Sequence, residues 1–391
     1  MNTKKKILLV PDGWPANFFD EQMEAVSNLY EFKVLLGYRD VFGKKEAIRR
    51  FITNKLEYFT VDSADIFRVN YAFINQLTPF LDRKQWKYLM HKFDECISII
   101  YGEVKPDIIH IQQLSDTAVF ICEWAKNNQV PVVMSEHLLY VRHQVNAFQR
   151  LKEQVFKQVN IVLCASNYQY RNLLTNGIQF KKAEIIGNLI VDTFLPQIFR
   201  SQAGNRKIVF VASHLADKDI DVLLDAIEIL KREHVEISLD IIGIEPDKKY
   251  PIEPDSKYSL QEIIEKRKLS DEVHLMGRKN RQDLLESYQN YSFLVSSSLS
   301  ETFGVGVAEA IANGLPVVCT DSGGIREFVD ESNGIIVPIR NPQSLADAIK
   351  EMFEKRHLYN ASEISEKIVT KYGTKAFRNK LLQVYEDCLK D

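Results

Sequence analysis

Residues 296–327 read SSSLSETFGVGVAEAIANGLPVVCTDSGGIRE. Just before them, Ser292 to Val295 is a short apolar run, and within them Pro316 to Thr320 is another. Both runs are too short for helices and read as buried strands. Between them Val305 to Ala312 is small, apolar and helix-like. The stretch is therefore a strand, a Ser-rich loop, a helix, a strand and a Gly-Gly loop, which is the repeating unit of a parallel α/β sheet. A helix that starts out of such a loop leaves free N–H groups and a positive dipole end, which suits a phosphate. Glu301 and Glu309 flank that start. Were the whole segment helical, they would lie about 12 Å apart along the axis, the span of a diphosphate-bridged molecule. A carboxylate accepts both hydroxyls of a vicinal diol, so Glu309 suits a ribose and Glu301 a sugar. Gly323 and Gly324 let backbone approach a ligand closely. Each feature alone is commonplace, and it is their conjunction in one unit that points to a nucleotide-linked ligand.

The same rhythm extends in both directions. In the first half, short runs rich in Ile and Val fall at Lys6 to Val10, Lys33 to Leu36, Asp107 to Ile111, Val130 to Ser135, Ile161 to Cys164 and Glu184 to Ile186. In the second half they fall at Lys207 to Ala212, Ser238 to Ile242, Glu272 to Met276, Ser292 to Val295, Pro316 to Thr320 and Gly334 to Val337. Segments of helical period separate them, so the fold class is α/β, with two doubly wound units. The polar, turn-rich PQIFRSQAGNR at Pro196 to Arg206 places the boundary, giving domains 1–196 and 197–372. Ligands of open parallel sheets bind off the carboxyl ends of the strands. That rule singles out Gly13, Gln112, Glu136, His137, Ser213, Gly243, Ser296 to Glu301 and Asp321 to Gly324. Lys44 to Phe59 (KKEAIRRFITNKLEYF) reads as a basic surface helix with an apolar stripe of Phe51, Ile52, Leu56 and Phe59.

At 391 residues the chain is long enough for two cores, and 45% hydrophobic with 26% charged residues is ordinary globular composition. A net charge of -3 offers no basic excess for nucleic acid. Five widely spaced cysteines read as free thiols of a reduced compartment. The apolar run Ile7 to Val10 is too short for a signal peptide, and no run approaches the roughly 18 apolar residues of a membrane helix. The expected location is cytoplasmic, with peripheral contact at the inner membrane face as a further option. There is no GxGxxG after the first strand and no GxxxxGK[ST], which argues against dehydrogenases and P-loop enzymes. His137, His143 and Glu136 lack metal-ligand spacing, so no metal is expected.

The segment ETFGVGVAE resembles the donor-site signature of the family 4 retaining glycosyltransferases, with two glutamates separated by seven residues. Other segments follow in that family's order over nearly the whole chain: PDIIH at Pro106 to His110, SEHLLY at Ser135 to Tyr140, IIGNLIVDTF at Ile185 to Phe194 and GIIVPIRNPQSLADAI at Gly334 to Ile349. The resemblance implies the GT-B fold, with two Rossmann-like domains facing a central cleft and a final helix, within 373–391, packing back on the first domain. It implies a hexose-type sugar moved from a nucleotide-diphosphate sugar to a glycan or lipid-linked acceptor with retention, in surface-polysaccharide assembly and without a metal or other cofactor. It assigns sugar contact to Glu301 and His137, ribose to Glu309, backbone contacts to Phe303 and Gly304, and diphosphate to Lys218, with Ser213, Gly243, Arg278 and Thr302 also expected at the donor.

The family's arginine position, five residues before Lys218 in VASHLADK, holds Ser213, so His214, Arg278 or Arg326 is expected to supply the missing charge. The first glycine loop, PDGWPANFFDEQ, carries a single Gly13 followed by Trp14, both expected on the acceptor side. Rival readings are a sugar-nucleotide epimerase or a glycan phosphorylase of the same fold, and a non-catalytic sugar-nucleotide-binding partner of another transferase.

Overall fold

The computed structural model describes residues 4–10, 17–37, 56–61, 64–69, 83–140, 147–191, 206–212, 217–246 and 259–390. They form two compact units, Met1–Leu189 with Phe377–Asp391, and Ile190–Ala376.

The first unit is built on β1 (Lys5–Val10), β2 (Tyr30–Gly37), β3 (Leu56–Val61), β4 (Ala64–Val69), β5 (Ile108–Ile111), β6 (Val132–Glu136), β7 (Ile161–Cys164) and β8 (Ala183–Ile185). They lie in the order β3-β4-β2-β1-β5-β6-β7-β8. Every neighbouring pair is parallel except β3 with β4. Strands β5, β6 and β7 are buried along their whole length. That is why they read as unbroken apolar runs: helices cover both faces of a parallel sheet. Leu8, Ile109, Ile111, Met134 and Val162 meet Phe120, Trp124 and Phe156 of the covering helices in one core. The final helix, Thr374–Cys388, belongs to this unit from Phe377 onward and buries Phe377, Leu381 and Tyr385. The Tyr385 ring stands edge-on to that of Tyr30, with centroids 5.2 Å apart.

The sequence reading missed β3 and β4 and misassigned the end of the basic segment. Leu56–Val61 is a strand antiparallel to Ala64–Val69, with Leu56 opposite Val69 and Val61 opposite Ala64. The apolar residues Leu56 and Phe59 that suggested a helical stripe therefore end in a hairpin. LEYFTV and ADIFRV are rich in aromatic and β-branched residues, and pairing of β4 with β2 overrides the weak helical period. Residues 44–55 lie outside the described residues.

The second unit holds β9 (Lys207–Val211), β10 (Ser238–Ile242), β11 (Val273–Leu275), β12 (Leu294–Ser296), β13 (Val317–Thr320) and β14 (Gly334–Val337), all parallel, in the order β11-β10-β9-β12-β13-β14. From β9 the chain winds outward to β11 and then returns to the other side of β9 with β12. The loops after β9 and β12 thus diverge at a switch point, where α/β sheets bind ligands. Helix Ile220–Arg232 seals one face, burying Ile220, Leu223, Leu224, Ile227 and Leu230 against Phe210, Leu239 and Ile241. Of the cysteines, Cys122, Cys164, Cys319 and Cys388 are buried free thiols. Burial pushes Cys122 and Cys164 up to about 12, so they act as small hydrophobes.

Candidate active site

At the switch point of the second unit, hydrogen bonds tie the turn after β9 to the loop after β12. Ser297 Oγ donates to the Lys218 carbonyl at 2.6 Å, and Leu299 N donates to the Asp217 carbonyl at 2.9 Å. This brings Lys218 Nζ to 2.5 Å from Glu301 Oε1, an oxygen that also accepts from Ser298 Oγ at 2.7 Å. The two charged side chains are 18% and 15% exposed, so their attraction is only partly screened.

Glu301 is not helical. It forms a parallel bridge with Gly323, donating N–H to the Ser322 carbonyl at 2.8 Å and accepting from Gly324 N at 2.9 Å. Helix begins only at Val305, so the axial helical spacing expected between Glu301 and Glu309 does not apply. The bridge explains both glycine positions. A Cβ on Gly324 would sit 2.2 Å from the Thr302 carbonyl oxygen. Gly304, at φ +93°, has a left-handed backbone and would press a Cβ to 2.8 Å from Ile325 Cγ2. Ser322 Oγ is buried without a hydrogen-bond partner in this loop, a polar atom poised for a ligand or water.

Phe303 anchors the turn by its side chain, with its ring 5.0 Å from Phe328 and 5.0 Å from Tyr372, so only its backbone and that of half-buried Thr302 can face a ligand. Helix Val305–Ala312 starts from Gly304 with no side-chain cap, which leaves its first amides to another acceptor. Its apolar faces are buried through Val307, Ala308, Ala310 and Ile311, which makes the dipole end rigid.

Glu309 projects from that helix to Arg281, whose Nη2 lies 2.8 Å from Glu309 Oε1, the Glu309 side chain being 13% exposed and that of Arg281 26%. Burial raises the Glu309 carboxyl above its usual range, and the Arg281 guanidinium opposes the rise. The sequence reading did not include Arg281. Its local signal was an N-cap: Asn280 Oδ1 accepts from Asp283 N at 2.8 Å and puts Arg281 at the first helical position.

Gly243 turns the chain after β10 at φ +101°, donating N–H to the Gly277 carbonyl at 2.8 Å. Of the cations considered as replacements for an arginine at Ser213, Arg326 is bound in a two-point clamp by Asp321, at 2.6 and 2.7 Å, and holds that carboxyl below its usual range. Arg278 is exposed and lies 4.0 Å from Glu245. Ser213, His214, Gly13 and Trp14 lie outside the described residues.

A separate concavity of about 1260 Å³ between β14 and the helices Pro342–Lys355 and Ala361–Tyr372 is lined by charged residues, among them the ion pairs Lys367 with Asp330 at 2.6 Å and Lys355 with Glu351 at 2.7 Å. It does not lie at the switch point, where the uncapped helix start and the unpartnered Ser322 Oγ sit.

In the first unit His137 follows β6 directly. The Glu136 carboxylate accepts from the N–H groups of His137 and Leu138, both at 2.9 Å, and of Leu114 at 3.2 Å. Gln169 Nε2 donates to the carbonyls of Glu136 and Leu138, both at 2.9 Å. This locks the loop on both sides. His137 Nε2 lies 3.1 Å from Gln112 Oε1.

Burial drives the His137 ring down to about 4, and burial together with the neighbouring His137 drives His110 to about 3. Both rings bind protons more weakly folded than unfolded, where the ordinary value is 6.5. The unfolded chain therefore takes up protons first as pH falls. Their contribution is complete above pH 6.5 and is lost as pH drops toward 4 and 3. We expect stability of the first unit to fall between pH 7 and 5, each ring approaching a slope of about 1.4 kcal/mol per pH unit. Urea unfolding at the two pH values measures this, and equal midpoints would contradict it.

Residues 191–370 match the profile of the glycosyl transferases group 1, and residues 57–193 that of glycosyltransferase family 4. The chain belongs to the family 4, group 1 glycosyltransferases. A human phosphatidylinositol N-acetylglucosaminyltransferase polypeptide is 27% identical over 349 residues, covering 86% of this chain and 67% of that protein. The GtfA subunit of the UDP-N-acetylglucosamine–peptide N-acetylglucosaminyltransferase of Streptococcus agalactiae is 27% identical over 226 residues, covering 55% of this chain and 42% of that protein. The chain spans about half the length of such GtfA relatives, at 42% and 46%.

Among solved structures, sucrose-phosphate synthase from Thermosynechococcus elongatus superposes with a TM-score of 0.73 at 15% identity over 98% of this chain and 99% of that one. Anabaena HepE in complex with UDP gives 0.71 at 17% identity over 98% and 100%. These likenesses establish the GT-B fold of this family member. No helix among the described residues is long and apolar enough to cross a membrane.

Proposed function

We propose that the protein transfers a hexose, of the glucose or N-acetylglucosamine type, from a UDP-sugar to a hydroxyl of a glycan or lipid-linked acceptor, with retention at the anomeric carbon. The observation that carries this reading is the Lys218–Glu301 pair at the switch point, beside an uncapped helix start whose far side holds Glu309. A cation, free amides and two carboxylates in that order match a diphosphate flanked by a sugar and a ribose. The N-acetylglucosaminyltransferase relatives, and HepE complexes with UDP and UDP-glucose, support the donor class.

In the reaction the bond from anomeric carbon to diphosphate oxygen breaks, and the acceptor oxygen bonds that carbon from the same face. The acceptor proton passes to the departing phosphate. Lys218 and the amides of the Gly304–Val305 turn offset the charge growing on the leaving group, in place of a metal ion. Glu301 and His137 orient the sugar, and Glu309 takes the ribose hydroxyls.

Thermal shift with UDP, UDP-glucose and UDP-N-acetylglucosamine tests the donor, since a ligand of the folded state raises its melting temperature. Glu309→Ala is expected to weaken UDP binding about tenfold or more, on the order of the two hydrogen bonds lost, with little change in turnover at saturation. Unaltered UDP affinity in that variant would remove Glu309 from the site. The non-catalytic alternative draws on the departure at Ser213 and on the GtfA relatives being subunits. Release of free sugar or glycosylated product from UDP-sugar by the isolated chain excludes it.

A further inference from the structure

The loop that carries His137 is backed by a chain of buried polar side chains that the proposed reaction does not use. His110 and Gln112, at the carboxyl end of β5, are each 1% exposed. His110 Nδ1 lies 2.7 Å from the Tyr385 hydroxyl of the last helix, and its Nε2 lies 2.8 Å from Ser135 Oγ. Gln112 Nε2 reaches Gln22 Oε1 at 3.4 Å and His110 Nε2 at 3.5 Å, while Gln112 Oε1 meets His137 Nε2 at 3.1 Å. Burying so many polar groups is unfavourable unless each is satisfied, and a satisfied chain fixes the direction of every proton in it.

The two ends of the Gln112 amide differ, and this breaks the ambiguity. Its NH₂ can only donate, so His110 Nε2 accepts and the His110 proton sits on Nδ1, toward the Tyr385 oxygen. Its carbonyl oxygen can only accept, so a neutral His137 ring facing it carries its proton on Nε2. Among the described residues the ionisable groups beside the ring include His110 and Glu136, and the Glu136 carboxylate receives the backbone N–H groups of Leu114, His137 and Leu138.

We propose that Gln112 is a positioning residue that holds His137 in its Nε2–H neutral tautomer, and that His110, anchored by Tyr385, holds the Gln112 amide in the required orientation. His137 then meets a ligand with its proton fixed on Nε2, a consequence that rests on the sugar-facing role proposed for His137. The last helix thereby sets the chemistry of a loop distant in sequence, through three side chains.

Long-range proton–nitrogen NMR of the labelled full chain reads the tautomer directly, without any ligand. In wild type the His137 ring is expected as Nε2–H from pH 8 to 5. Gln112→Leu is expected to give a mixture of tautomers. Gln112→Glu, nearly isosteric and the safer variant for folding, places a carboxylate on Nε2 and is expected to raise the ring's titration midpoint by at least one pH unit. An Nδ1–H wild type, or a His137 signal indifferent to both substitutions, overturns the proposal.

Calorimetry with UDP and UDP-N-acetylglucosamine supplies the second readout. Gln112→Leu is expected to weaken the UDP-sugar about tenfold and UDP hardly at all. Equal weakening of both overturns the positioning role, because it marks a general structural defect. Wild type that binds neither probe yet shows the stated tautomer defeats the donor reading and supports the ring assignment.

Discussion

Replacing Lys218 by methionine or alanine is expected to lower turnover with a UDP-sugar donor by about 10²- to 10³-fold, with a much smaller change in KM. The ammonium lies at the switch point where we propose the diphosphate binds, and its positive charge gains most in value as the leaving group becomes more negative. A ground-state contact alone would move KM; a contact that strengthens in the transition state moves kcat. In the free protein the same ammonium pairs with Glu301 at 2.5 Å, so the substitution also strands a carboxylate that is only 15% exposed. The double variant Lys218→Met with Glu301→Gln isolates the stability effect: removing the stranded charge is expected to return the urea midpoint toward that of wild type. Steady-state kinetics within threefold of wild type for Lys218→Met would remove the lysine from the chemistry.

Gly324→Ala is expected to destabilise the second unit by about 3 kcal/mol or more and to abolish donor binding. Its added Cβ would lie 2.2 Å from the Thr302 oxygen, 2.5 Å from the Thr302 carbon and 2.7 Å from the Glu301 oxygen. All three are backbone atoms, so no rotamer change relieves the clash. Only displacement of the Glu301–Gly323 bridge does, and that bridge positions Glu301. Gly306→Ala is the internal control: its Cβ meets nothing within 4 Å. At a helical position this change stabilises by up to about 1 kcal/mol. The urea midpoint of the second unit measures both, and similar midpoints for the two variants would refute the steric argument.

Most of the sheet was legible because parallel strands covered on both faces leave a local mark. Ile161–Cys164, Ser238–Ile242 and Gly334–Val337 are apolar runs whose limits match the strands themselves. The hairpin Leu56–Val69 left no such mark, since its strands lie at the sheet edge and their pairing is decided by the partner strand. Helix Val305–Ala312 was legible from composition. The departure of Glu301 from that helix was not, because it results from hydrogen bonds to Ser322 and Gly324, more than twenty residues away.

The residues proposed for the donor site in the second unit, Glu301, Gly304 and Glu309, fall within one short stretch, since a phosphate-binding turn and its flanking carboxylates are local in sequence. Their partners do not. Arg281 reaches Glu309 from a different helix, and Lys218 reaches Glu301 across 83 positions of chain. Likewise Tyr385 and His110 are 275 positions apart. The sequence alone determined that the chain is a pair of parallel α/β units with a nucleotide-sugar signature in the second, because strand burial and loop chemistry are written in neighbouring residues. Only the tertiary structure decided which charges face one another and which polar side chains back His137, because the strand order brings β9 beside β12 and the last helix packs beside β5, and a residue's partner across such a contact has no fixed distance along the chain.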